Sequence, residues 1–431
     1  MQRLSISYIR EKWQHAGFQK YFQNTGWMFV MKVLSMAVSF IATLYIARTI
    51  GPTNFGQLSY ATSFIGIFAF IATLGIDSIL YRELIKYPEK KESILGSAFT
   101  IKIIAGSIAA LTVCTSAYAW SIDDVSKILI FILSGTFIFN SFQIAGYAFQ
   151  AQTQSKYPSI IAFVITIVLN ILKITIIVNG KGVIYLAGTL LLESILYAIL
   201  YWIIYDKKMQ TKMSAWKFDK TIALLILRDS WPLIFSSAFA TIYSEIDQIL
   251  IKHMIDAHAV GIYEAAVRVT EVWYFIPNLL IISLFPAIIN AQTTSKEMYT
   301  KRLKNFSILL FVLAGLIAIT MTFGAHLIIN ILYGPAFIGG VIILQIYAWS
   351  LIGTFLGSLA SQYLIAENLR KMSLMINLVP MTINVLLDII WIPKYGIMGP
   401  AYATLIAYSL SPFVLLFFKE TRRKVVEIIK I

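Results

Sequence analysis

The sequence predicts an all-α polytopic membrane protein with about twelve transmembrane helices. Hydrophobic residues make up 58% of the chain and charged residues only 13%, whereas soluble domains carry about 25% charged residues. The mean hydropathy is +0.77. Several uncharged runs are longer than the ~20 residues needed to cross ~30 Å of hydrocarbon. These runs are Thr49–Ile76, Ile128–Ser155, Ala336–Ala366 and Tyr395–Phe418.

Twelve apolar segments of helical length follow one another along the chain, separated by short polar stretches. The predicted helices are 26–47, 56–75, 94–119, 127–150, 158–178, 183–204, 230–252, 260–290, 305–330, 338–365, 372–393 and 396–418. An even number of crossings places both termini on the same side of the membrane.

The basic residues predict that this side is the cytoplasm. With a cytoplasmic N-terminus, 26 of the 35 Lys and Arg residues fall in inner segments and only five in outer ones, which follows the positive-inside rule. The formal charge of +14 is therefore explained by topology, and nucleic acid is not expected as a partner. We expect a multi-pass membrane protein with both termini in the cytoplasm.

The longest predicted loop divides the chain into two halves of six helices. The expected organisation is an N-terminal lobe over 1–205, a cytoplasmic linker over 206–228 and a C-terminal lobe over 229–431. The halves begin alike, because Asn24 to Gly56 and Asp229 to Gly261 each span 32 residues. Six helices per half would preserve orientation, as in parallel repeats about an axis along the membrane normal.

No motif for enzymatic chemistry is visible. The sequence has no G-x-x-x-x-G-K-[ST] phosphate loop, and its four histidines and one cysteine show no metal-ligand spacing. The only adjacent carboxylates outside the helices, Asp123 and Asp124, are better explained as a solvated helix end. We expect neither catalysis nor a cofactor nor a bound structural metal.

Nine ionisable residues are predicted to lie in the hydrocarbon region of the helices. A charge at the bilayer centre costs about 2.5–3.5 kcal/mol on insertion scales, so these groups must pair, face water, or do both. That pattern is typical of a transporter with a hydrated interior. The nine are Lys32, Lys102, Lys173, Glu193, Glu245, Asp247, Arg268, Glu271 and Asp388.

Simpler interpretations exist for four of them. Lys32 lies about two turns from a helix end and could extend its amine to the membrane surface. Asp388 lies near an outer end and could be interfacial. Arg268 and Glu271 are three residues apart on one helix, so a local ion pair is the alternative to substrate binding.

One stretch is more specific. Gly51-Pro52-Thr-Asn-Phe55-Gly56 follows the first helix, Leu74-Gly75-Ile76-Asp77 follows the second, and Tyr81-Arg82-Glu83-Leu84 comes next. This pattern resembles the polysaccharide-transport branch of the multidrug/oligosaccharidyl-lipid/polysaccharide exporter superfamily, in particular the Wzx-type O-antigen flippases. The motif covers only residues 45–85, whereas length and helix number agree over the whole chain.

The resemblance implies two six-helix lobes that form a V-shaped central cavity. It also implies transfer of an undecaprenyl-pyrophosphate-linked oligosaccharide from the inner to the outer leaflet by alternating access. Intramembrane cations would then bind the pyrophosphate, with Lys32 and Arg268 as the foremost candidates. The full substrate-binding set is Lys32, Lys102, Lys173 and Arg268.

The sequence differs from the purely cationic cavity that this picture suggests, because it also has five intramembrane carboxylates. These could bind a coupling H⁺ or Na⁺. They are Glu193, Glu245, Asp247, Glu271 and Asp388. Membrane lipid and other polysaccharide-assembly proteins are further expected partners. Two alternatives remain: a cation-coupled drug antiporter of the same superfamily, and a membrane polysaccharide polymerase, for which the large outer loop is missing.

Overall fold

The computed structural model describes residues 16–120, 122–292, 295–367, 369–416 and 422. These residues form α-helices, short 3₁₀ turns and connecting segments, with no strand among them. The all-α prediction is confirmed. Part of the basic C-terminal tail and the first 15 residues, on which the cytoplasmic assignment of the termini depends, lie outside the described ranges.

Within the described ranges each half of the chain contains eight helices, and those of the N-terminal half come first. The first, α1, includes the segment that carries the glycine–proline motif, and α2 is a short helix that the sequence analysis did not predict. The eight are α1 (Ala16–Thr73), α2 (Asp77–Lys86), α3 (Lys91–Ala119), α4 (Asp124–Ser134), α5 (Thr136–Phe139), α6 (Ile144–Ala151), α7 (Lys156–Val178) and α8 (Val183–Lys208).

The C-terminal half contains eight more. Two of its 3₁₀ turns lie inside segments that were each predicted to be a single helix. They are Val272–Tyr274, which follows α10, and Ser411–Leu416, which follows α16. The eight are α9 (Lys220–Met254), α10 (Ala257–Glu271), α11 (Phe275–Gln292), α12 (Lys296–Leu332), α13 (Gly340–Tyr347), α14 (Ser350–Ala366), α15 (Arg370–Tyr395) and α16 (Met398–Leu410).

Eleven helical segments within the described ranges are long and apolar enough to cross a membrane. The first of them, Phe29–Lys86, contains both of the first two predicted helices. A straight helix with the 58 residues of α1 would be about 87 Å long, nearly three times the ~30 Å of hydrocarbon. Gly51 breaks it, with φ 76° and ψ 170°. The prediction of about twelve crossings agrees with this count.

Several predicted boundaries were wrong. The predicted loop at 48–55 is helical except at Gly51. The predicted linker 206–228 contains the end of α8, a 3₁₀ turn at Met213–Ala215 and the first nine residues of α9. In both places polar or glycine-containing sequence suggested a loop, but neighbouring helices supply packing that local preference does not reveal.

The described chain forms two compact units. The first comprises residues up to Ile46 together with Phe68–Ile234, and the second comprises Ala47–Ile67 together with the residues from Phe235 onward. The division at 206–228 into lobes stays a prediction. The units group the chain differently from the predicted lobes, because the 47–67 part of α1 belongs with the C-terminal residues.

The glycine–proline motif explains this grouping. In the second unit, a Cβ atom at Gly56 would overlap the carbonyl of Ala257, and one at Gly261 would overlap the carbonyl of Pro52. The two helices therefore touch backbone to backbone, which only glycine permits at both positions. The motif acts here as a packing element of α1 against α10.

Candidate functional site

A buried polar cluster lies within the second unit, where α9, α10, α15 and α16 each contribute a side chain. Asp247 comes from α9, Tyr263 from α10, Asn384 and Asp388 from α15, and Thr404 from α16. Each is less than 6% exposed, and Asn384 and Asp388 are fully buried. The carboxyl groups of Asp247 and Asp388 are neighbours.

One oxygen of the Asp247 carboxylate is held by hydroxyl donors. The Tyr263 hydroxyl donates to Oδ2, and Thr404 Oγ1 donates to the same atom at 2.8 Å. The Asn384 amide nitrogen in turn donates to Thr404 Oγ1 at 3.2 Å. These contacts fix the orientation of the first carboxylate and of the amide oxygen.

Four other oxygens of this cluster are left over. Within the described ranges, no hydrogen-bond donor reaches Asp247 Oδ1, Asn384 Oδ1 or either oxygen of Asp388. Such atoms are rare in folded proteins and point to a missing partner. Two adjacent carboxylates away from water also require a proton or a cation between them. Carboxylate and amide oxygens suit hard cations. The cluster can therefore bind a proton or a small cation.

Two of the predicted ion-coupling residues, Asp247 and Asp388, lie together in this cluster, and its other three members were not among the predicted site residues. Asp388 is buried rather than solvated at a helix end. Asn384 lies one turn from Asp388 on α15, a spacing of four that could have pointed to it. Nothing in the sequence indicates that Tyr263 and Thr404 would reach Asp247 from two other helices.

Arg268 is surrounded by carboxylates in the same unit. Its Nε donates to Glu264 Oε1 at 2.6 Å, and its Nη1 lies 3.5 Å from Glu271 Oε2. The Glu264 side chain is buried and also accepts from Gln248 Nε2 at 2.9 Å. The local ion pair expected with Glu271 is therefore present, but the closer partner is Glu264, which the sequence analysis missed.

Arg268 nevertheless keeps an accessible face, because its side chain is 51% exposed. Glu245 is half-buried on α9 and packs against Gly66, where an added Cβ would lie 3.2 Å from Glu245 Cγ. The structure thus places Glu245 beside α1 in the second unit, outside the cluster of Asp247 and Asp388.

In the first unit, two of the predicted cations form ion pairs. The Lys102 amine, 9% exposed, pairs with Asp77 of the motif and lies 5.9 Å from the centre of the Tyr147 ring. The Lys173 amine lies 3.8 Å from Glu193 Oε2, with both side chains partly exposed. Lysine and carboxylate thus neutralise each other in both places.

Lys32 is different, because it is exposed and forms no ion pair with any residue that the structure describes.

Arg82 of the motif lies on α2, where it pairs with Asp229 at 2.5 Å and with Glu83 at 2.8 Å. Both contacts lie in the first unit, so Arg82 joins the motif to the start of α9.

Comparison with known proteins agrees with this architecture. Residues 21–292 match the family model described as polysaccharide biosynthesis protein, and residues 232–390 match the one described as MatE. The capsular polysaccharide biosynthesis protein CapF of Staphylococcus aureus is 22% identical over 91% of this chain and 97% of its own. The protein of Haloferax volcanii named "Probable low-salt glycan biosynthesis flippase Agl15" is 20% identical over 89% of this chain and 80% of its own.

Two solved structures share the fold. A multidrug resistance MATE family transporter in an inward-facing conformation gives a TM-score of 0.73 at 15% identity, covering 92% of this chain and 96% of the other. The lipid II flippase MurJ in an inward closed conformation gives 0.71 at 18% identity, covering 90% and 86%. At these identities the likeness concerns the fold alone.

Proposed function

Since this chain belongs to the polysaccharide biosynthesis protein family, we propose that it is a flippase that moves a lipid-linked oligosaccharide across the membrane without changing it chemically. The observation that carries the proposal is the family match, which extends over residues 21–292. The relatives named as a capsular polysaccharide biosynthesis protein and a glycan flippase support the same substrate class. The lipid carrier is proposed to be undecaprenyl pyrophosphate.

We assign the contact with the pyrophosphate to Lys32 and Arg268. Both are exposed, and guanidinium and ammonium groups replace the water shell of a phosphate with charge-assisted hydrogen bonds. Lys102 and Lys173, which also belong to the predicted set, are already paired with carboxylates. Their role in this proposal is to maintain the first unit in a conformation that admits the headgroup.

We assign ion coupling to Asp247 and Asp388. Their unpartnered oxygens, together with the amide oxygen of Asn384, offer a buried site for H⁺ or Na⁺. A cation bound there would neutralise the pair, so a gradient of that cation can favour one conformation over another. Glu193, Glu245 and Glu271 lie elsewhere and are secondary candidates.

The proposal is tested in cells that lack the gene and carry the remaining glycan-assembly enzymes. Single lipid-linked units should accumulate on the cytoplasmic face, and the intact gene should restore surface glycan. A polymerase would instead leave single units displayed outside. Normal surface glycan in the deletion strain, with no accumulated lipid-linked unit, would overturn the flippase assignment.

A drug antiporter is the second candidate, because residues 232–390 match the MatE model and a MATE transporter shares the fold. It predicts that vesicles containing the purified protein take up a lipophilic organic cation when a sodium or proton gradient is applied. The flippase proposal predicts no such uptake above protein-free vesicles.

The proposed location is a bacterial cytoplasmic membrane with both termini inside. Cysteines introduced into the 206–228 segment of a variant lacking Cys114 should be protected from an impermeant thiol reagent in intact cells. Cysteines at positions 256 and 258 should be labelled. Labelling of the 206–228 segment from outside would reverse the orientation.

A further inference from the structure

The second unit contains a cavity that neither the ion site nor the Arg268 group uses. Its volume is about 480 Å³, within the range of roughly 300–1,000 Å³ typical of small-molecule sites. Residues of α9, α11, α14, α15 and α16 line it. The 3₁₀ turns Val272–Tyr274 and Ser411–Leu416 complete the wall. Fifteen residues that the structure describes line the cavity; none of these fifteen is charged, and ten carry a hydroxyl or amide group.

Many polar side chains of the lining already donate a hydrogen bond to a neighbouring oxygen atom, and their own oxygen atoms can still accept one. Thr354 Oγ1 donates to the Ser350 carbonyl at 3.1 Å, and Ser358 Oγ donates to the Thr354 carbonyl at 2.8 Å. Asn377 Nδ2 donates to Ser236 Oγ at 3.2 Å. Hydroxyl and amide oxygens keep acceptor capacity after such a bond. A ligand with many hydroxyl groups could donate hydrogen bonds to these oxygen atoms.

Aromatic rings supply the second element of the wall. The rings of Tyr243 and Tyr408 lie with centroids 4.5 Å apart and planes tilted by 56°, and Tyr274 lines the same cavity. The electron-rich face of an aromatic ring attracts weakly positive hydrogen atoms, such as the C–H groups on one face of a pyranose. Tyrosine combines this surface with a hydroxyl group.

Small residues of α14 form part of the cavity wall and let this helix pack closely against α16, because a Cβ atom at Gly353 would overlap the carbonyl of Tyr408. Gly353, Gly357 and Ser361 recur every four residues and so lie on one face of the helix, and all three line the cavity. A Cβ atom at Gly357 would lie 3.3 Å from Ser411 Oγ. Even small side chains on this face would therefore narrow the cavity.

We propose that this cavity binds an uncharged sugar ring of the transported lipid-linked glycan. The inference rests on the proposed flippase function and adds to it the place where the sugar is recognised. The fifteen described lining residues include no charged group, which disfavours a phosphate or an organic cation, and the ten polar ones among them disfavour a lipid chain.

The test compares two probes on the full-length protein in lipid nanodiscs. The first probe is the lipid-linked glycan that accumulates in the deletion strain, extracted from its membranes. The second is the same lipid pyrophosphate after enzymatic removal of the sugars. Wild-type protein should bind the first at least about tenfold more tightly, since several hydrogen bonds at about two- to tenfold each are gained.

The variant Ser361→Leu should reduce this ratio to about one and leave the affinity for the sugar-free lipid within about twofold. The matched control is Ser283→Leu, at an exposed position of α11 that does not line the cavity; it should keep the full ratio. Gln362→Ala, which removes an amide from the lining without adding bulk, should lower the ratio about threefold and covers the case in which the leucine variant fails to fold.

A wild-type ratio of one, or an unchanged ratio in both Ser361→Leu and Gln362→Ala, would overturn the sugar site while leaving the flippase proposal standing. Failure of the wild-type protein to bind either probe would instead overturn the flippase proposal, and the sugar site with it.

Discussion

The two units of the molecule treat buried charge in opposite ways. In the first unit, Lys102 and Asp77 form an ion pair, and Lys173 lies close to Glu193. In the second unit, Asp247 and Asp388 are neighbouring carboxyl groups, and no basic side chain among the described residues forms an ion pair with either. An ion pair of opposite charges stabilises one conformation of the protein. Where two carboxyl groups have no basic partner, the stability of that conformation depends on the ion that they bind.

The largest effect should follow from removing one carboxylate of the uncompensated pair. Asp247→Asn and Asp388→Asn should each reduce ion-driven transport about a hundredfold, because the remaining carboxylate cannot hold a cation alone. Thermal stability should be equal or higher, since an uncompensated buried charge is lost. Transport into vesicles and thermal unfolding, each with and without Na⁺ and at two pH values, measure both effects.

Asp124→Asn is the matched control, because Asp124 is exposed in the first turn of α4. It should leave the dependence of stability on Na⁺ and pH unchanged. If Asp247→Asn and Asp388→Asn also retain that dependence, the cluster is structural and the contrast between the units disappears.

The next effect concerns the compensated pair of Lys102 and Asp77. Asp77→Ala leaves a buried ammonium without its partner and should lower the free energy of unfolding by about 3 kcal/mol. Lys102→Met leaves Asp77, whose side chain is 36% exposed, and should be milder, at about 1 kcal/mol. Thermal unfolding in detergent checks this order.

Combining Asp77→Ala with Lys102→Met should recover most of the loss caused by Asp77→Ala alone, because no orphan charge is left. A double variant as unstable as Asp77→Ala would mean that Asp77 acts through a contact other than Lys102.

Arg268 lies between the two extremes, because it is paired and yet half-exposed. Arg268→Ala should reduce surface glycan about tenfold with near-normal protein levels, and Arg268→Lys should be milder because it retains the charge. Lys32→Ala should act in the same direction. Quantified surface glycan, normalised to membrane protein, is the measurement.

The opposing view is that Arg268 only neutralises its neighbours. In that case Arg268→Ala combined with Glu264→Gln, or with Glu271→Ala, should restore export. Glu264 is the more stringent partner to remove, because it is the closer and more buried of the two. Full rescue by either double variant would exclude a substrate contact for Arg268.

The smallest effect should come from Lys173 and Glu193. At 3.8 Å, with both side chains partly exposed, the pair should contribute less than about 1 kcal/mol to stability. Single and double variants to Gln and Met should therefore unfold within a few degrees of the wild type. A loss of stability as large as that caused by Asp77→Ala would show that distance and exposure do not predict how much an ion pair stabilises this protein.

Hydropathy was sufficient to predict the fold class and to find all but Glu264 of the ionisable residues discussed above, because a charge in an apolar run is visible without any structure. The partners were harder to predict. Asp77 lies in the motif and reaches Lys102 on another helix, and Thr404 reaches Asp247 across a sequence separation of 157 residues. Such contacts depend on tertiary packing, which periodicity does not encode.

Local conformation shows the same limit. The Gly51-Pro52 pair correctly indicated a change of direction, but a single residue makes it and the helix continues on both sides. Glu264 could have been recognised, since it precedes Arg268 by one helical turn. It lies near the beginning of the predicted helix 260–290, where a carboxylate is usually solvated.

Residue 51 also carries a consequence for chirality. At φ 76° and ψ 170°, the chain occupies a region that is essentially closed to L-amino acids, while its mirror image is among their most favoured conformations. A D-alanine introduced at this position by chemical ligation should fit without strain, and an L-alanine should not. The break in α1 thus depends on one position in the chain that has no handedness of its own.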